Sequence, residues 1–287
     1  MQPNILGVQK SQILLVGAAA TLLVVLVAFG RTVPHSDKKA MPTADHMHDG
    51  QEGKPIAFDE LLASAKQKIP ADKLVAITAL ENKTVRGDVK NQQIDAYKQL
   101  YASWDSLNQL PIAAYYLGES AKLENSEKSL TFAANLFLEH LEHAEDPAIA
   151  KWESSQAISL LGQAIELNPK NDSLKIKQAL LYMNTGEPMV GVQKLRDVVA
   201  ANPDNAEAQI TLANLAIQSN QFDKAIERME TFTQKHPDEA KAVFVLAEAY
   251  RGKGDIKKAV ELLEHCKTLL NDPSLKAEID NYIKSIK

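Results

Sequence analysis

The sequence contains few of the residues that form disulfide cross-links or that favour disorder. Only one of its 287 residues is a cysteine, Cys266, so no disulfide can form within the chain. Its 12 glycines and 12 prolines are too few for a fibrous or low-complexity protein, and 45% of its residues are hydrophobic. The chain can therefore bury a sizeable core, and Cys266 is expected to pack there as a small apolar residue.

The sequence also lacks the features of a nucleic-acid-binding protein or an enzyme. Its formal net charge is −5 at pH 7, which is poorly suited to binding phosphate backbones. It contains no G-x-S-x-G, no P-loop and no Cys-His quartet. His140 and His143 have an i, i+3 spacing that could hold a metal, but H-E-x-x-H is absent and a solvated helix face is favoured. We expect no enzymatic activity, no catalytic residue and no cofactor.

One long apolar run interrupts this otherwise ordinary composition. Residues 13–30 read ILLVGAAATLLVVLVAFG and carry no charge. As a helix this run would span about 27 Å, close to the thickness of a bilayer core. We predict a transmembrane signal anchor at 13–30 after a short tail at 1–12. The alternative is a cleaved secretory signal, because Ala28-Phe29-Gly30 loosely resembles a cleavage site.

The charges beside this run give two opposing indications of orientation. A short N-terminal tail before a single anchor usually stays in the cytoplasm, which favours an extracytoplasmic folded part. Arg31, Lys38 and Lys39 outnumber Lys10, however, and the positive-inside rule then favours a cytoplasmic folded part. We favour the extracytoplasmic orientation, and both stay open.

Residues 31–56 mix Pro, Gly, Asp, His and Lys without periodicity, which is typical of a flexible linker. The linker contains Asp45-His46-Met47-His48-Asp49, and His46 and His48 could bind a soft or borderline metal. A solvated linker without metal is the favoured interpretation.

A strict period of 34 residues organises the C-terminal half. Small residues recur at Ala179, Ala213 and Ala247 and at Gly191, Ala225 and Ala259. Larger apolar residues keep the same step at Leu195, Met229 and Leu263, and prolines do so at Pro169, Pro203 and Pro237. A period in this range indicates a repeat architecture, and the small residues fit places where two helices approach closely.

Each unit divides into two helices. Residues 172–184 have helical spacing, and Thr185-Gly186-Glu187-Pro188 then supplies a helix-ending glycine and a helix-starting proline. Weaker helical hairpins are predicted over 57–168, including an aromatic stripe with Tyr97, Tyr101 and Trp104 that we interpret as core. A half-polar capping helix is predicted over 272–287.

The units resemble tetratricopeptide repeats, whose pattern is W-x2-L-G-x2-Y, then A-x3-F, then P. The third unit matches best, with Leu246-Ala247, Tyr250, Gly254, Ala259 and Leu263, whereas Lys175, Gln209 and Val243 stand in the place of the tryptophan. The resemblance implies an all-α, right-handed solenoid of helix-turn-helix repeats, with three repeats over 169–271.

The resemblance also implies a concave groove, lined by the first helix of each repeat, that binds a protein or peptide. By repeat position, the groove residues are Ile176, Leu180, Met183, Ile210, Asn214, Ile217, Phe244, Glu248 and Arg251. Repeats that clamp a C-terminal carboxylate have Lys and Asn where this chain has Ile176 and Leu180, so an amphipathic or apolar partner segment is expected instead.

The overall plan is similar to membrane-anchored bacterial tetratricopeptide repeat proteins that act in translocation, envelope assembly or cytochrome c maturation. We therefore expect a single-pass scaffold of the bacterial inner membrane, with a periplasmic repeat domain in the favoured orientation. The alternative is a metal-handling or cytochrome c maturation accessory protein that uses the linker histidines.

Overall fold

The computed structural model describes residues 56–86, 89–141 and 143–287. These residues fold into thirteen α-helices and contain no strand. The helices are α1 (Phe58–Lys66), α2 (Ala71–Arg86), α3 (Lys90–Asp105), α4 (Leu110–Glu124), α5 (Glu127–Leu141), α6 (Pro147–Leu167), α7 (Asp172–Asn184), α8 (Pro188–Ala201), α9 (Ala206–Gln218), α10 (Phe222–Lys235), α11 (Ala240–Lys253), α12 (Ile256–Leu269) and α13 (Pro273–Ile286).

The predictions for the tail, the anchor at 13–30 and nearly all of the linker concern residues outside these ranges. Within the described ranges, no helix combines the length and hydropathy needed to cross a bilayer.

Consecutive helices pack as antiparallel hairpins. Helix α3 pairs with α4, α5 with α6, α7 with α8, α9 with α10, and α11 with α12, and α13 packs against α12. The predicted all-α fold is confirmed. The three C-terminal hairpins are the three units of the 34-residue pattern.

Short polar side chains start several helices. Asp146 Oδ1 accepts a hydrogen bond from the backbone N–H of Ala148 at 2.8 Å, just before the long helix α6. Asn205 plays the same role for α9, since its Oδ1 accepts from Ala208 N at 3.0 Å. These caps satisfy N–H groups that lack a partner within the helix.

The turn inside each repeat needs a residue with positive φ, and this requirement also recurs every 34 residues. Gly186 has φ 90°, Asn220 has φ 56° and Gly254 has φ 92°. Glycine adopts this region without a steric penalty, and asparagine tolerates it better than most residues. The repeat therefore keeps one turn geometry although the middle unit has no glycine there.

The small residues of the 34-residue pattern lie where helices meet. Ala179, Ala213 and Ala247 are all 0% exposed, as are the larger Leu195 and Met229. The prediction that these positions form the core is confirmed. The prediction for Cys266 is also confirmed: it is buried, its Sγ donates to Ala240 O at 3.3 Å, and burial raises the pKa of its thiol.

A pair of amide-to-carboxylate contacts joins successive hairpins. Asn168 Nδ2 and Asn171 Nδ2 donate to the two carboxylate oxygens of Glu127 at 2.9 and 2.6 Å. One repeat later, Asn202 and Asn205 donate to Asp172 Oδ2 at 3.2 and 3.3 Å. The two asparagines recur with the 34-residue period, so the same connection is used twice. The hydrogen bonds hold the pKa of Glu127 below its usual range.

An aromatic cluster holds α1 against the N-terminal hairpins. The ring of Phe58 stacks on Tyr115 of α4 with centroids 3.6 Å apart, and it lies 6.0 Å from the ring of Trp152 of α6. Trp104 of α3 is 0% exposed. The interpretation of the aromatic stripe as core is confirmed for Trp104, whereas Tyr97 and Tyr101 are only partly buried.

Candidate functional site: the first-helix surface

The first helices of the repeats, α7, α9 and α11, form a surface that α13 continues. The 34-residue period places Leu180, Asn214, Glu248 and Tyr282 at equivalent positions of these four helices. Leu180 is 39% exposed, Asn214 is exposed, and Glu248 and Tyr282 are partly buried. We call the surface around this row the first-helix surface.

Ile176 corrects the predicted groove at one position. It is 1% exposed and packs in a cluster with Ala179 and Leu195 of its own repeat and Ala208 and Leu212 of the next. Its side chain packs between two repeats. Ile176 therefore offers no surface to a ligand.

Three other predicted apolar residues are partly buried. Ile210 and Ile217 lie at the edge of the core cluster around Ala213 and Val245. Met183 lies against the second helix of its repeat, where a Cβ at Gly191 would come within 2.4 Å of Met183 Cγ. Each of these side chains keeps part of its surface accessible while its other side packs inside the repeat.

The last repeat presents charged groups that are already paired. Arg251 Nη2 donates to Glu248 Oε2 at 2.8 Å, and Tyr282 OH donates to Glu248 Oε1. The Arg251 guanidinium lies 5.8 Å from the centroid of the Tyr282 ring, and the Phe244 ring lies 6.2 Å from it. Burial and the hydrogen bond to Glu248 raise the pKa of Tyr282 to about 12. Tyr282 stays neutral at physiological pH and closes this end of the surface.

Tyr282 is a surface residue that the sequence analysis missed. Its signal was available, because it follows Glu248 by one period of 34 residues. The half-polar pattern of 272–287 predicts only a cover for the last repeat, whereas α13 also occupies the position of a further first helix.

The candidate metal ligands do not form a site in the described part of the chain, where no group of three or more His, Cys, Asp or Glu side chains could hold a metal ion. His140 Nδ1 instead faces Glu153 Oε1 at 3.4 Å, and His143 is exposed. His46 and His48 lie outside the described residues, so their metal binding stays untested.

Tetratricopeptide repeats are present in the chain. Two family models with the description tetratricopeptide repeat match residues 192–243 and 235–269. No curated protein matches the sequence.

Solved structures of repeat proteins are similar to the chain at low identity. YrrB, described as a TPR protein with an unusual peptide-binding site, is 18% identical, with 65% of this chain and 91% of that chain covered and a TM-score of 0.42. MamA is 18% identical, with 61% and 91% covered and a TM-score of 0.44. A tetratricopeptide repeat protein from Parabacteroides merdae ATCC 43184 is 16% identical, with 79% and 88% covered and a TM-score of 0.46.

Proposed function

We propose that the protein is a non-enzymatic, membrane-tethered scaffold that binds a segment of a partner protein along the first-helix surface. The observation that carries this proposal is the row of accessible side chains on successive tetratricopeptide first helices, starting with Leu180 at 39% exposure. Leu180 lies three residues from Met183 on the same helix, and Met183 is also partly accessible. Grouped exposed apolar side chains support an interaction surface, whereas a single one would not.

The chemistry of the row favours an amphipathic or apolar partner segment. Leu180, Met183 and Ile217 supply apolar surface toward one end, and Asn214 supplies an amide between them. At the other end Glu248 and Arg251 neutralise each other, so that end has little net attraction for a ligand charge of either sign. A partner helix or extended segment would gain mainly from apolar burial, with polar groups setting its register.

A charge placed at Leu180 is expected to abolish this binding without unfolding the protein. Leu180→Asp should weaken partner binding at least tenfold, because a carboxylate would be buried against an apolar segment. Its cost to stability should be about 1–2 kcal/mol, because the leucine is only 39% exposed and the change loses both buried apolar surface and helix propensity. Site-specific photo-crosslinking in membranes from Leu180 and Asn214, followed by affinity measurement with the captured partner, provides the readout.

Met189→Asp is the matched control, since Met189 lies on the second helix α8, is 73% exposed, and gives the same change of net charge. We expect it to leave both binding and stability unchanged. Equal loss of binding in the two variants would show that total charge, and not the first-helix surface, governs the interaction.

The tether is proposed from the uncharged run at 13–30. We expect the full-length protein to pellet with membranes and to resist carbonate extraction, and deletion of residues 1–30 should release it to the soluble fraction. A mature soluble protein that begins near Arg31 would instead identify the run as a cleaved signal.

We place the repeats on the periplasmic side of the bacterial inner membrane, where a role in envelope protein assembly or translocation fits this plan. A C-terminal alkaline phosphatase fusion should then be active. An inactive phosphatase fusion, with fluorescence from a green fluorescent protein in its place, would put the repeats in the cytoplasm.

A further inference from the structure

A cleft on the second-helix side of the middle repeat has features that the proposed scaffold does not use. It lies between one face of α10 and the segment formed by the α8–α9 connection and the start of α9, and its volume is about 480 Å³. Lys224, Arg228 and Lys235 line it from α10, and Pro203 and Gln209 line it from the other side. The three cations lie four and seven residues apart, so they follow one helix face as a row.

These cations have neutral hydrogen-bond partners or none. Arg228 Nη1 donates to Gln209 Oε1 at 2.6 Å, and Lys224 Nζ donates to Gln221 Oε1 at 2.7 Å. Within the described ranges, none of the three forms an ion pair with a carboxylate. Glu227 is the one acidic residue that lines the cleft. The lining therefore has an excess of positive charge on a protein whose net charge is −5.

The surroundings of Arg228 are electropositive as well. Burial and the charge of Arg196 lower the pKa of the Arg228 guanidinium, and Glu227 only partly opposes them. Arginine nevertheless stays protonated at neutral pH. Arg228 is thus a partly buried cation with four of its five N–H donors left for a ligand or water.

The repeat fold does not require this row. The positions equivalent to Lys224, Arg228 and Lys235 are Val190, Lys194 and Ala201 in α8. In α12 they are Lys258, Leu262 and Leu269. The same helix geometry forms with one cation in each of the other two repeats, so three cations are a property of the middle repeat alone.

We propose that this cleft binds an acidic peptide segment in an extended conformation, whose carboxylates pair with Lys224, Arg228 and Lys235. Along the helix axis Lys224 and Arg228 are about 6 Å apart. Side chains on one face of an extended chain recur about every 6.6–6.8 Å. Acidic residues at alternate positions therefore match this pair, and the segment continues toward Lys235. A single compact anion is too short to pair with all three cations, so the positive charge at one end of the row would stay without a partner.

The test uses the full-length protein and a labelled peptide in which Glu alternates with Ser. Fluorescence anisotropy should detect binding of this peptide, and a peptide with Gln in place of Glu should not bind. Arg228→Gln should weaken binding about tenfold, as for loss of a hydrogen bond to a charged group. Lys235→Gln should also weaken it, and this exposed lysine can be replaced without affecting the fold.

Lys258→Gln is the control, because Lys258 is equivalent to Lys224 one repeat later and its replacement changes the net charge by the same amount. Lys258 already pairs with Glu261 at 3.4 Å. It should bind the Glu peptide with wild-type affinity. Equal weakening by Lys258→Gln, or no binding of the Glu peptide, would overturn the proposal. Binding of inorganic pyrophosphate as tight as that of the peptide would also overturn it, in favour of a small-oxyanion site.

Discussion

Replacing His140 by leucine is expected to lower the free energy of unfolding by about 1–3 kcal/mol, because a buried carboxylate then loses the polar group that it faces. His140 lies at the end of α5, and its Nδ1 is 3.4 Å from Oε1 of Glu153 on α6. Glu153 is 1% exposed, and among the described residues neither its Oε1 nor His140 Nδ1 has a hydrogen-bond partner. The variant leaves a buried carboxylate facing a leucine. Urea denaturation followed by circular dichroism measures the change.

The double variant His140→Leu, Glu153→Met is the control for this interpretation. It removes both polar groups and fills the site with apolar side chains of similar size, so its stability should return to within about 1 kcal/mol of the wild type or exceed it. If the double variant is as unstable as His140→Leu, packing of the imidazole ring and not its polar contact with Glu153 stabilises the α5–α6 hairpin.

The fold of the C-terminal half was predictable because its core positions repeat. Each repeat must place small residues where two helices approach, and this steric requirement returns at Ala179, Ala213 and Ala247, which are all 0% exposed. The positive-φ turn is harder to recognise from the sequence, because the middle repeat has Asn220 at the position where the other two repeats have Gly186 and Gly254.

The N-terminal hairpins were less predictable, because their core residues do not recur at a fixed interval as those of the C-terminal repeats do. Helix α6 extends over Pro147–Leu167, and its first half buries Trp152, Glu153 and Ser154. Burial of a glutamate on this extension depends on α5 lying beside it with His140 at the contact. Nothing in the local sequence marks Glu153 as internal.

The repeat period predicts which residues lie on the first-helix surface, but it does not predict how deeply each of them is buried. Repeat position correctly puts Leu180 and Asn214 at accessible sites on the first helices. The same reasoning fails for Ile176, because side chains of α8 and α9, including Leu195 and Ala208, cover that position. The position of a residue along a helix predicts which way its side chain points, whereas the burial of that side chain depends on how the neighbouring helices pack against it.

Gly191→Ala is expected to lower the free energy of unfolding by about 2–3 kcal/mol, in the upper part of the range for overpacking a core. In an ordinary helix interior the same change stabilises by about 0.5–1 kcal/mol. At Gly191 a Cβ would come within 2.4 Å of the carbonyl oxygen of Ala179 and 2.4 Å of Met183 Cγ. The carbonyl belongs to the backbone of α7, so α7 and α8 would have to separate. Thermal and urea unfolding of the variant give the sign and the size of the effect.

A second substitution identifies which of the two contacts at Gly191 limits how closely α7 and α8 can pack. Met183→Ala, combined with Gly191→Ala, removes the flexible side chain but leaves the contact with the Ala179 carbonyl, so it should not restore stability. The equivalent positions Ala225 and Ala259 carry a Cβ and are 0% exposed, so the other two hairpins pack around a methyl group there. If Gly191→Ala proves stabilising, the α7–α8 hairpin can relax to the spacing of its neighbours. The close approach at Gly191 would then not be a requirement of this repeat.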